Sequence, residues 1–428
     1  MKFLSKKLGL YYLMTNRWLF ITCIVSTMII SSCNKEQDLV TLKKDKTEKS
    51  HSHSHDNKEF TLTAEQIAEQ IKDERKLVLG KKLENPYTLE NMAKAQTRIP
   101  NIDRNNDIVE IKTTDLYVRF LPKNAEEFNL LREDTTLELF SYPLDYEIKE
   151  AGDYYQDPTL PIDSSPWYYT AVSKDYAFKD VKHEIIEELF LIESAQKLYP
   201  NVSDDYWLTL EDKALSLTNN LENHGARASK WNPSGYIKVQ KYIKSINKGN
   251  IAVNNVKVRA VRWFTIKTDY TNSAGYYSIG SFRRSVNYSV IFETNYAKVT
   301  NWIGYQTFHY GPKRKSSWNT TFNFTSNSWV RATLINAMGI YRSRGFALGI
   351  QNPYPISYWA GGAAVNRLNV RAVFGQGTGL HIGVAWFNDI KIWSQFSLSG
   401  NDKQTDWLYR VIFHELGHTS VHKHQYNI

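Results

Sequence analysis

Cysteine is almost missing from this chain: its 428 residues contain two, Cys23 and Cys33. Cys23 falls within an N-terminal apolar stretch expected to be removed, so the mature chain lacks a second thiol with which to close an internal disulfide. A thiolate nucleophile and a cysteine-rich zinc site are excluded on the same ground. Histidine, aspartate and glutamate must carry any metal chemistry. Methionine ends at Met338, and no acidic residue follows Glu415. The apolar run from Trp18 to Ile30 is too short to cross a bilayer, which takes about 20 residues as a helix. Residues 34–58 lack both proline and aromatic residues, and so polar a stretch cannot bury enough surface to fold.

At the N-terminus stands an export signal. Lys2, Lys6, Lys7 and Arg17 precede the apolar run, and Met14 is an alternative start. The run closes on Ile30-Ser31-Ser32-Cys33: an aliphatic residue, two small residues and a cysteine. This resembles a bacterial lipobox, and lipid on Cys33 would convert a soluble protein into an anchored one. An ordinary secretory signal with an incidental cysteine is the other reading. The expected start is a signal peptide over 1–32 and a lipidated, disordered tether over 33–58, holding the chain at the outer membrane of a cell envelope. His51, His53 and His55 alternate with serine in that tether, where no packed scaffold fixes them for metal.

The formal charge of +9 hides an asymmetry. Residues 34–247 carry 29 basic and 38 acidic side chains, whereas 248–428 carry 20 basic and 6 acidic. Such a split fits mutual docking of the halves, a basic substrate face, or an unevenly solvated surface. Nucleic acid is not an expected partner of an exported lipoprotein.

The length allows two or three domains, and the expected class is α+β multidomain. Residues 59–247 read as an N-terminal α+β domain. Ile67, Ile71 and Leu77 share a helical face after Thr63, Leu116–Leu121 alternates as a strand, Asn124–Leu131 is helical, and Leu137–Phe140 is a second strand. Lys182–Ser194 reads as an amphipathic helix. Its His183-Glu184-Ile185-Ile186-Glu187 imitates a zinc motif but lacks the second histidine. Residues 248–294 hold short strands separated by Asn/Gly/Ser turns, the pattern of a small β-sandwich. Asn255-Val-Lys-Val-Arg through Thr271-Asn-Ser-Ala-Gly-Tyr-Tyr-Ser resembles the carboxypeptidase regulatory-like family, whose modules support a neighbouring domain. Residues 295–428 contain a helical pattern over Ser328–Tyr341, strands at Leu368–Phe374 and His381–Phe387, a polar loop at 401–405, and a final helix from Trp407.

That final helix carries the chemistry. His414-Glu415-Leu416-Gly417-His418 is an H-E-x-x-H pattern, and residues four apart on a helix share one face. Two imidazoles then converge on one zinc, and Glu415 is placed to take a proton from zinc-bound water. Trp407, Leu408, Val411, Ile412 and Leu416 form the helix's apolar stripe, and Gly417 is expected to let it pack closely. A histidine pair without metal is the bland alternative. Catalytic zinc needs a third protein ligand. His424 stands ten residues after His414, the spacing of H-E-x-x-H-x-x-G-x-x-H, although the glycine position is Val421. His422 competes, but an unbroken helix separates it from His414 by about 12 Å, so it ligates only where the helix breaks. His309 and His381 are more distant candidates, each a usual outcome of a hydrogen-bonded histidine on a strand.

The lipobox, the regulatory-like module and Phe413-His-Glu-Leu-Gly-His418 together resemble zincin-type, metzincin-like zinc metalloprotease lipoproteins of Bacteroidota-type bacteria. The resemblance implies a membrane-anchored zinc metallopeptidase acting on protein or peptide substrates, with His414 and His418 on zinc and Glu415 as general base. It also implies a zincin-like catalytic domain over 295–428 that stops short of its lower subdomain. The alternative is a catalytically inactive binding or structural lipoprotein with a vestigial protease domain.

Overall fold

The computed structural model describes residues 75–99, 109–161, 164–221, 229–243, 246–301, 306–324, 326–350, 368–374, 379–381, 390–394 and 404–426. The export signal, Cys33, the tether histidines, Ile67 and Ile71 of the helical pattern after Thr63, residues 382–387 of the last expected strand and the 401–403 loop lie outside them. Leu77, the third residue of that pattern, is not helical but buried, its amide donating to the Tyr154 carbonyl at 2.8 Å. Among the described residues no helix is long and apolar enough to cross a membrane.

The fold is mixed α+β. Its first part runs β1 (Val78–Lys82), α1 (Leu89–Thr97), β2 (Asp115–Leu121), α2 (Ala125–Glu133), β3 (Tyr146–Glu150), β4 (Tyr168–Ser173), β5 (Lys182–Leu189), α3 (Ile192–Leu198) and α4 (Asp204–Leu217). β2 is the centre of an antiparallel sheet of order β4-β2-β5. Alternation buries Leu116, Val118 and Phe120 in one core and Tyr117 in another. Thr88, Asn124 and Ser203 cap α1, α2 and α4 by accepting from the third following amide. The strand and helix expected at 116–121 and 124–131 are therefore present.

Two expectations fail here. Residues 182–189 form β5, an edge strand, and helix begins only at Ile192. β2 needs a partner on its second edge, and that non-local pairing outweighs the helical spacing of the apolar residues. The β-branched pair Ile185-Ile186 suits a pleated strand, and Glu184 is fixed by Arg119 Nε at 2.8 Å. Ile185 consequently lies 54% exposed rather than in a helix–core interface. The strand expected at Leu137–Phe140 reduces to a single bridge between Phe140 and Tyr169.

The chain continues through β6 (Ser234–Ile243), β7 (Ile246–Ala252), β8 (Lys257–Arg262), β9 (Thr265–Tyr270), β10 (Tyr276–Ser278), β11 (Val286–Ile291), β12 (Ala297–Thr300), β13 (Phe308–Arg314) and β14 (Thr320–Phe322). One sheet has the order β13-β11-β8-β9, and another β10-β6-β14 with β7 also on β6. Strands from 234–243 and 308–322 thus complete the sheets of the 248–294 segment, and the cores continue across both expected boundaries. Residues 62–428 form one compact unit.

The Thr-Asn-Ser-Ala-Gly-Tyr-Tyr-Ser run has a physical reason at each point. Thr271 is buried, accepts from the Val256 amide at 2.9 Å and donates to the Val253 carbonyl at 2.7 Å. The Asn272 side chain accepts from the amides of Ala274 and Tyr276, closing a side-chain turn. Gly275 takes φ +77°, and a Cβ there would stand 2.5 Å from the Ile237 carbonyl oxygen. Tyr277 is fully buried and donates to the Trp318 carbonyl at 2.8 Å.

The last elements are α5 (Asn327–Ala347), β15 (Leu368–Phe374), β16 (Gly379–His381), β17 (Ile390–Ser394) and α6 (Thr405–Tyr426). The sheet order is β12-β15-β17-β16, with β12, β15 and β17 parallel and β16 an antiparallel edge. α5 packs on β12 and on α6, and α6 touches β16 and β17. Val330, Leu334, Ile335 and Met338 are buried on α5 as expected, and Arg331 is buried among them with its guanidinium 5.9 Å from the Phe292 ring centre.

Gly275→Ala should destabilise the fold by about 2 kcal/mol, since it forces a left-handed residue into backbone contact. Denaturant unfolding measures this, and an unchanged midpoint would show that the turn relaxes freely.

Candidate metal centre

α6 is positioned by its inward stripe. Leu408, Ile412 and Leu416, spaced by four, are at most 1% exposed, each contributing roughly 2 kcal/mol by burial. Thr405 accepts from the Tyr242 amide at 2.9 Å and ties the first turn to β6. Further along, Tyr341 of α5 and Ser420 bring their hydroxyls to 3.3 Å, and the Tyr341 and Phe413 rings lie 5.7 Å apart. With that face committed to the core, Asp406, Arg410, His414 and His418 form an exposed stripe. Close packing is not the role of Gly417, because a Cβ there would meet nothing within 4 Å. The expectation of tight packing at that glycine is corrected accordingly.

His414 and His418 come together. Their Nε2 atoms are 3.1 Å apart and their rings stand at 86°. Two nitrogens on one tetrahedral zinc, each at 2.0–2.1 Å, lie about 3.3 Å apart, so the pair has the bite of a metal clamp. Glu415 is 5% exposed. Burial pushes its carboxyl above the usual range, and neighbouring His414 acts against that shift.

The third ligand does not follow. α6 runs without interruption to Tyr426, which sets His424 about 15 Å and His422 about 12 Å along the axis from His414. His424 at the metzincin spacing requires a break after Ser420, and this helix has none. The reason is local: no glycine or proline lies between His418 and Tyr426. Thr419 and Ser420 also donate back to the Leu416 carbonyl at 2.8 and 3.0 Å. The side chains of His422, His424 and His381 are outside the described residues. Among the described residues no third histidine, cysteine or carboxylate joins the pair.

The other sequence candidates are engaged elsewhere. His183 Nδ1 lies 3.0 Å from the Val181 carbonyl, with its ring stacked on Phe178. His309 on β13 is held 3.1 Å from Ser328 Oγ and lies parallel to Trp318. Two cavities of about 250 and 270 Å³ lie where the first part of the fold meets residues of the 230–306 stretch, and they take no lining residue from α6. Sequence reading did not find them, because their walls come from segments far apart in the chain.

No family model matches this chain, and neither curated proteins nor solved structures give a match.

Burial pushes the His309 imidazole down to about 4; Asp153 opposes this, while Arg75 and Arg331 add to it. A histidine kept neutral in the fold contributes stability above its ordinary value near 6.5, and that stability is lost as pH falls from there toward about 4. The contribution is about 3 kcal/mol. Comparing unfolding free energies of the parent chain and His309→Gln between pH 7 and 4 should reveal it. Parallel pH profiles would contradict the assignment.

Proposed function

We propose that this chain is a zinc-dependent metallopeptidase of the zincin type, in which His414 and His418 hold the metal and Glu415 is the general base. The observation carrying the reading is the 3.1 Å approach of the two Nε2 atoms beside a buried carboxylate. Zinc, when bound, supplies an acidified water and polarises a peptide carbonyl. Glu415 accepts a proton on its carboxylate and returns it to the departing amine. Its burial excludes competing water, and the imidazoles, fixed by an anchored helix, need little reorganisation. Among the described residues β16, against α6, is the edge strand of this sheet, the place where an extended peptide would add as a further strand. A helix, a mixed sheet and then the H-E-x-x-H helix is the order of a zincin upper subdomain. In this reading the regulatory-like strands support that subdomain.

His424 is the third ligand of this reading and His422 its alternative, and either requires α6 to open after Ser420. The uninterrupted helix favours a second reading, a binding or structural lipoprotein that keeps a two-histidine remnant. Zinc retained after dialysis separates them. His414→Ala and His418→Ala should each weaken binding by more than the roughly 10–100-fold that a lost outer-shell partner costs, while His183→Ala should not. In an active enzyme, His424→Ala costs more zinc affinity than His422→Ala. Glu415→Gln then keeps the metal and lowers peptide hydrolysis by about 10²-fold or more. If neither tail substitution matters and no peptide is cut, the remnant reading holds. Equal zinc content in the parent chain and His414→Ala would overturn both.

The same reading anchors the chain to the cell envelope, at the outer membrane, through lipid on Cys33. Mass spectrometry of the mature N-terminus should find a diacylated cysteine. An unmodified N-terminus recovered in the soluble fraction would exclude it.

A further inference from the structure

One of the two cavities, about 250 Å³, opens among α3, α4, β9 and the 281–284 loop. Two cations on its wall are held in an unfavourable relation. Trp231 and Phe282 exchange both backbone hydrogen bonds, 2.8 Å each way, so their chain neighbours Lys230 and Arg283 lie across from one another. Like charges in that relation repel. Among the described residues one carboxylate answers both: Asp204 is 3.2 Å from Lys230 Nζ and 2.8 Å from Arg283 Nη2. Neighbouring cations are matched one to one, Lys267 by Glu193 at 3.1 Å and Arg284 by Asp212. Deeper in, Tyr87 donates to Glu211 at 2.6 Å and accepts from buried Arg262. Among the described residues the mouth therefore carries one positive charge in excess, beside the partly exposed apolar side chains of Leu191, Ile192 and Leu208.

We propose that this cavity binds a small monocarboxylate with an apolar body. The carboxylate lies between Lys230 and Arg283 and relieves their repulsion through charge-assisted hydrogen bonds. The apolar body rests against Leu191, Ile192 and Leu208. The space is below the roughly 300–1,000 Å³ of drug-sized sites, which suits a ligand the size of one blocked amino acid. The Trp231–Phe282 bridge fixes the two backbones and Asp204 gathers both cationic heads before the ligand arrives, which lowers the ordering required on binding.

Calorimetric titration of the full chain with N-acetyl-leucine tests the site, with N-acetyl-leucinamide as its neutral counterpart. A His414→Ala, His418→Ala background removes any reading through metal on α6. The acid should bind saturably and the amide should not. Arg283→Gln and Lys230→Gln should each weaken the acid by at least about tenfold, while Lys248→Gln, exposed on β7, leaves it unchanged. Lys230 is exposed, so its variant keeps the test valid if Arg283→Gln fails to fold. Gly-Gly-Leu distinguishes two sources of the same chemistry: comparable affinity marks a peptide C-terminus, and exclusion marks a free acid. Equal binding of acid and amide, no binding of the acid, or unaltered affinity in both variants would overturn the assignment.

Discussion

The histidine pair depends on one packing constraint, the burial of Leu408, Ile412 and Leu416 against α5 and the parallel sheet. A helix with one face committed to a core has only its opposite face to present, and on α6 that face carries His414 and His418. Thr405 bonded to Tyr242 and Ser420 bonded to Tyr341 fix the helix at both ends of the motif. The imidazoles therefore stand on a rigid element, the kind of support that a metal clamp requires. Loss of that stripe would disperse the histidine pair without touching either imidazole.

A second constraint is sharing. β6 pairs with β14 on one side and with strands of the 248–294 segment, β7 and β10, while β13 completes the sheet built on β8 and β11. One core runs from Ile237 to Leu416. α6 is thus braced by a strand far earlier in the chain, as Tyr242 bonding to Thr405 across 163 residues illustrates. Stability changes in the β-sheets, such as those at Gly275, will reach α6 through this common core.

Much of this was legible in the sequence where local chemistry decides the outcome. β2, β15, α2, α5 and the start of α6 follow from alternation and 3.6-residue periodicity. A turn ending at Gly275 was legible from its Asn, Ser and Gly residues, although its expected start at Thr268 falls within β9, which runs to Tyr270. Residues 182–189 were misread, since Ile185, Ile186 and Leu189 fit a helical face and only the open edge of β2 recruits them as strand. The 248–294 boundaries missed β6, β13 and β14, whose pairings are non-local. At the site, the pairing of His414 with His418 was legible from their spacing. The course of the helix beyond Ser420 was not, because a borrowed metzincin spacing implied a break that Val421, Thr419 and Ser420 do not make. The Lys230–Arg283 juxtaposition had no sequence signal, as only the Trp231–Phe282 bridge brings the two together.

The central claim is that two imidazoles four residues apart on α6 form a metal clamp. X-ray absorption of the zinc-loaded, tag-free chain reads the ligand shell directly. The account predicts a shell of nitrogen and oxygen only, with imidazole scattering from at least two histidines that disappears in the His414→Ala, His418→Ala double variant. A shell whose imidazole count is unchanged by that double substitution would contradict it.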